Sequence, residues 1–114
     1  MKVESLTVGS AARLEVVELR LRIEKIATKA VGDSFPAQPV IVSQTNIRNR
    51  LVFILVAYEG RTTSEELLSL LRLMRHIYKR TSDVLHGRSN MVNLPDVLLT
   101  EWSEVLLRIE NISE

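Results

Sequence analysis

The sequence predicts an all-α domain, a small four-helix bundle. Two observations lead there. Four segments carry apolar residues at three- and four-residue intervals, each bounded by capping or breaker residues. The 114 residues show no internal repeat, low-complexity tract or interdomain linker, so they read as one domain, residues 1–114. Apolar residues at 46% and charged residues at 25% set the chain apart from disordered compositions. A chain of this length buries about two-thirds of its unfolded surface, enough for one core.

The first helix is expected over 11–31, with Ser10 as cap and Gly32-Asp33 as the stop. Val16, Leu19, Ile23, Ile26, Ala27 and Ala30 make one apolar face, and Leu14, Val17 and Leu21 make a second, shorter stripe. Two stripes suit either one wide core face or a core plus a partner subunit. Glu18 with Arg22 and Arg20 with Glu24 are spaced as i,i+4 ion pairs. Residues 32–42 read as a loop from Gly32, Pro36 and Pro39, with Val40-Ile41-Val42 open as a short strand.

The second helix is placed at 44–58, capped by Ser43 and ended by Gly60, although Leu51 to Val56 also suits a buried strand. Being apolar nearly all round, it is expected to be the most buried element. The third, at 64–86, opens on Thr63-Ser64-Glu65-Glu66, a capping-box pattern, and runs through Leu67, Leu70, Leu71, Met74, Ile77 and Tyr78 to a stop at Gly87. The fourth, at 95–110, has Pro95 in its first turn and Val97, Leu98, Trp102, Val105, Leu106 and Ile109 on its apolar face. Residues after Ile109 are expected to fray.

Composition narrows function. No cysteine means no disulfide, thiolate nucleophile or cysteine-ligated metal. Two histidines without clustered carboxylates argue against a dedicated metal site, and no cofactor is expected. Met1-Lys2-Val3-Glu4 leads into no apolar signal-type region, and the longest apolar run, Leu51 to Tyr58, is far short of the roughly 20 residues that span a bilayer. The expectation is a cytoplasmic protein with no membrane partner. A net charge of +1 and 4% aromatics argue against broad coating of nucleic acid.

The charge is unevenly placed, however. Arg72 to Arg88 holds Arg72, Arg75, Lys79, Arg80 and Arg88 against Asp83, together with both histidines, His76 and His86. Asp96 to Glu114 holds five acids against Arg108. On a helix, Arg72, His76, Lys79, Arg80 and Asp83 share one stripe opposite the leucines. That stripe suits phosphate binding, and it equally suits an ordinary solvated face.

The stretch Ile77-Tyr78-Lys79-Arg80-Thr81-Ser82-Asp83-Val84-Leu85-His86-Gly87-Arg88 resembles the signature of HEPN (higher eukaryotes and prokaryotes nucleotide-binding) domains. In these an arginine precedes a histidine by four to six residues, and the histidine closes a helix before glycine. The most typical form has four intervening residues and a polar residue after the arginine; here five intervene and Thr81 follows Arg80. The resemblance implies a helical bundle of about this length, late placement of the motif in the third long helix, and a homodimer. It also implies a metal-independent endoribonuclease of a toxin or phage-defence system, or a relative that binds RNA or a nucleotide without cutting. An antitoxin or effector protein is then a further candidate partner.

The chemistry fits the residues. His86 could act as general acid or base on a ribose 2′-hydroxyl or leaving oxygen, since histidine titrates near neutral pH. Arg80 could hold the scissile phosphate, and Asp83 could orient His86. Arg72, Arg75, His76, Lys79 and Arg88 would bind the RNA backbone. Residues six apart on a helix point about 120° apart and lie about 9 Å apart along the axis. A two-fold dimer that sets two such helices across a cleft would bring Arg80 and His86 to one phosphate.

Plainer readings stand beside these. His86 could simply close the helix, Arg80 could clamp acids near Glu66 or on the fourth helix, and His76 could be a solvated face residue. Trp102 reads as core. Ser82 and His86, four apart, lack an oxyanion hole for serine hydrolysis. The alternative to an RNA-acting protein is a helical dimerisation or adaptor module, its basic third helix docking an acidic surface such as the acidic fourth segment of another copy.

Overall fold

A computed structural model describes the backbone of residues 2–36, 46–86 and 95–114, with side chains from residue 13 onward. Among these residues five α-helical segments follow one another: α1 (Lys2–Ser34), α2 (Ile47–Arg50), α3 (Ile54–Ala57), α4 (Ser64–Leu85) and α5 (Asp96–Ser113). Between α2 and α3 runs a 3₁₀ turn, Leu51–Phe53, with right-handed helical dihedrals at both joints, so residues 47–57 form one rod. The architecture is the expected small all-α bundle of four rods. No described residue lies in a strand; an isolated bridge joins Glu59 to Thr62.

Each helix forms for reasons visible in its residues, with several boundaries moved. In α1 the chain is already helical from Lys2 and stays so to Ser34, so Ser10 lies inside the helix and does not cap it. The expected core face holds, with Val16, Ile23, Ala27 and Ala30 fully buried. The second stripe is not part of that core: Leu14 and Leu21 are 69% and 51% exposed. Of the two expected ion pairs, Arg20–Glu24 is present at 3.7 Å. Arg22 instead spans to α5, donating to both carboxylate oxygens of Glu110 at 2.6 and 3.1 Å and to Ser103 Oγ at 2.9 Å. A bidentate, part-buried partner outcompetes a solvated neighbour one turn away.

The rod 47–57 starts at Asn46, whose side chain accepts from the Arg48 N–H at 2.9 Å. Ser43 and residues 40–42, read above as a cap and a short strand, lie outside the described residues. This rod is helix rather than strand, but it is not the most buried element. Leu51, Ile54 and Tyr58 face inward while Val52 and Val56 are 39% and 60% exposed. At the edge of a small bundle only one face can be covered, however apolar the rest. The central place belongs to α1, which packs on every other helix. α5 lies against the α1–α4 pair from one side and the 47–57 rod from the other.

Thr63 caps α4, its hydroxyl accepting from the Glu66 N–H at 3.1 Å. The reciprocal half of the capping box is replaced: Glu66 binds Arg108 at 2.6 Å and takes a hydrogen bond from Thr62. α5 extends to Ser113, past the expected end at 110, and its last turn does not fray. Ile112 and Ser113 are buried, and their carbonyls accept from Arg61 (2.9 Å) and Lys29 (2.5 Å). Two cations thus satisfy orphan carbonyls at the negative end of the helix dipole. Trp102, 6% exposed, is core as expected. Among the described residues no helix is long and apolar enough to cross a membrane.

Candidate nucleic-acid interface

The candidate residues ride on α4, so their positions follow from how that helix is gripped. Leu67, Leu70, Leu71, Met74, Ile77, Tyr78, Thr81 and Val84 are its buried side. Thr81, the residue after Arg80, is fully buried and its hydroxyl donates to the Tyr78 carbonyl at 2.8 Å. It serves packing and does not face a solvent-open site. On the α1 side, Arg20 stacks over the Tyr78 ring at 4.2 Å and donates to Ser82 Oγ, while Tyr78 OH donates to Glu24 at 2.9 Å. Burial, and then that bond to a carboxylate, push the Tyr78 phenol above its ordinary value. Ser82 is therefore engaged with Arg20 rather than set up beside His86 as a nucleophile.

Contacts on either flank orient the polar face. Arg75 Nε donates to the Arg48 carbonyl at 3.0 Å, so that flank meets α2. The His76 ring stands edge-on to Trp102 with centroids 6.4 Å apart, so the opposite flank meets α5. At about 100° per residue, Arg75, Lys79 and His86 lie toward the α2 flank, Arg80 joins His76 toward α5, and Arg72 and Asp83 lie between the two. The five residues of the expected stripe thus span an arc of about 100°, bordered by α2 beside Arg75 and by α5 beside His76. Asp83 pairs with Lys79 at 3.8 Å, and its side chain is only 16% exposed.

His86 is the C-cap of α4, its N–H bonded to the Ser82 carbonyl at 2.9 Å, and its side chain is exposed. Arg80 is half-buried. Because α4 is unbroken from Ser64 to Leu85, the two stay about 9 Å apart along the axis and about 120° apart around it. One chain does not bring them to a single phosphate. Nor does Arg80 clamp the Glu66 region, which lies fourteen residues away and is occupied by Arg108. Arg88 and Gly87 lie outside the described residues.

Arg48 is the residue the sequence did not single out. It is exposed on α2, and the bond from Arg75 to its carbonyl sets its backbone beside the edge that carries Arg75 and Lys79. The only advance signal was the pair Arg48 and Arg50 in a segment of ambiguous structure. Among the described residues no three His, Asp or Glu side chains gather to hold a metal ion. Compared with known proteins, the chain matches no family model, no curated protein and no solved structure.

Proposed function

We propose that the protein is a HEPN-like RNA-acting domain whose α2–α4 edge grips the phosphate backbone. The observation that carries this reading is the gathering of Arg48, Arg72, Arg75 and Lys79 along one edge that ends at the exposed His86. Guanidinium and ammonium groups in such a row neutralise successive phosphates while leaving bases unread. His86 then lies where the backbone passes the end of α4 and exchanges protons with the 2′-hydroxyl or the leaving oxygen. Arg80, on the other flank, serves the phosphate held by a second chain, the two chains meeting across a two-fold axis once both are on the RNA.

The direct experiment is cleavage of single-stranded RNA with a chelator present, followed by analysis of the ends. Metal-independent attack by the 2′-oxygen leaves 2′,3′-cyclic phosphates, and His86→Ala loses at least about 100-fold in rate. Equal rates for the two chains would sink the catalytic reading. Mixing Arg80→Ala with His86→Ala chains restores about a quarter of wild-type rate, because half the dimers are mixed and each holds one complete site.

The Lys79–Asp83 ion pair favours a second reading, in which the same edge binds RNA without cutting it. Asp83 shares its charge with Lys79 at 3.8 Å, four residues back along α4, rather than being held for His86 alone, and Lys79 is partly neutralised. That reading expects salt-sensitive RNA binding with no cleavage in the same assay.

A further inference from the structure

On the side of the molecule away from the α2–α4 edge, α1 and α5 border an open cleft of about 310 Å³. Its floor is Leu19 and Leu99, both almost wholly buried, and one wall is Leu107, 53% exposed. Its rim carries three exposed acids, Glu15, Glu18 and Glu104. The cation in the lining, Arg22, is held by Glu110 and Ser103, and the Glu110 carboxylate raises its pKa further. The cleft is thus apolar at its base and negative at its mouth.

We propose that this cleft receives the basic α2–α4 edge of a second copy, so that chains stack head to tail. That edge offers what the cleft lacks. Arg48, Arg72 and Lys79 are exposed cations, and Leu68, 38% exposed, lies on the same flank as an apolar anchor for Leu99 and Leu107. A two-fold pairing through the clefts themselves would set Glu15, Glu18 and Glu104 against their own copies, and like charges at close range oppose it. The two complementary surfaces lie on opposite sides of one chain, so their contact is heterologous and does not close after two chains.

The self-docking stands on this geometry alone. Its consequence for the RNA reading rests on that reading: an edge seated in a neighbour's cleft is unavailable to RNA, so stacking would hold the interface in reserve.

Sedimentation velocity without RNA provides the test. Wild-type mass is expected to climb past two chains with concentration at about 50 mM salt and to fall to one chain at about 500 mM. The doubly substituted Glu18→Gln/Glu104→Gln protein and the Arg72→Gln/Lys79→Gln protein should each stop stacking. Their equimolar mixture should form a pair and nothing larger, since one intact cleft meets one intact edge. All four positions are solvent-facing, and a circular dichroism spectrum checks that the helices remain. A wild-type mass that stays at one chain, or a mixture that fails to pair, overturns the proposal. So does a mass that levels at two chains and ignores both substitution pairs, which is the signature of a two-fold dimer.

Discussion

Tyr58 is the side chain through which several parts of the chain are tied together. It is fully buried, its hydroxyl donates to Asp33 at 2.8 Å, and Arg61 and Lys29 approach its ring at 5.2 and 5.9 Å. The hydroxyl bond, then Lys29, hold the Asp33 carboxyl below its ordinary range, and burial drives the phenol far above its own. A carboxyl whose pKa is depressed by folding stabilises the fold above its unfolded value of about 3.9. That contribution is lost as pH falls through the folded value. Tyr58→Phe is therefore expected to cost about 1 kcal/mol near neutral pH. The gap to wild type should narrow below about pH 4, as read by urea titrations at each pH. Trp102→Ala should cost about 3–5 kcal/mol by the same measurement, because the ring sits in a core that does not collapse around the void. That Trp102 was core could be read from its apolar stripe. The Tyr58–Asp33 bond could not, since 25 residues separate the partners and neither belongs to a spaced motif.

At the scale of elements, α4 depends on its ends. Thr63 was legible as a cap because its type and its spacing to Glu66 are local properties, and Thr63→Ala is expected to lower stability by about 1 kcal/mol in thermal melts. Before α4 the chain turns through Tyr58–Arg61, with the Arg61 N–H bonded to the Tyr58 carbonyl at 3.1 Å and Gly60 at a φ of 86°. A side chain is strained in that left-handed region, so Gly60→Ala should cost about 1 kcal/mol although nothing crowds the position. The 47–57 rod shows the limit of local reading. Its apolar residues surround the helix, and periodicity alone could not say which would be covered. Packing against α1 and α4 chose Leu51, Ile54 and Tyr58 and left Val56 in solvent.

For the whole molecule, the near-neutral net charge conceals a division between a basic α2–α4 edge and an acidic α1–α5 side. RNA binding through the basic edge should weaken with salt, and Arg48→Ala and Arg72→Ala should each reduce the slope of log affinity against log salt by about 0.7. Fluorescence anisotropy with a labelled single strand measures both. An unchanged slope for Arg48→Ala would remove α2 from the interface and return it to α4 alone.

The sequence by itself determined three amphipathic helices and one apolar segment open to helix or strand, most of the core residues, and the uneven charge between its third and fourth helices. These are properties of spacing along one helix, set by 3.6 residues per turn. Only the tertiary structure decided that residues 47–57 are helix rather than strand, that Arg22 bridges to α5, that α1 is the central helix, and that the polar face of α4 is bordered by α2 on one flank and α5 on the other. It also decided that Arg48 stands beside Arg75. Each of these depends on which helix lies against which flank, and that is settled by packing across the core rather than by any local pattern.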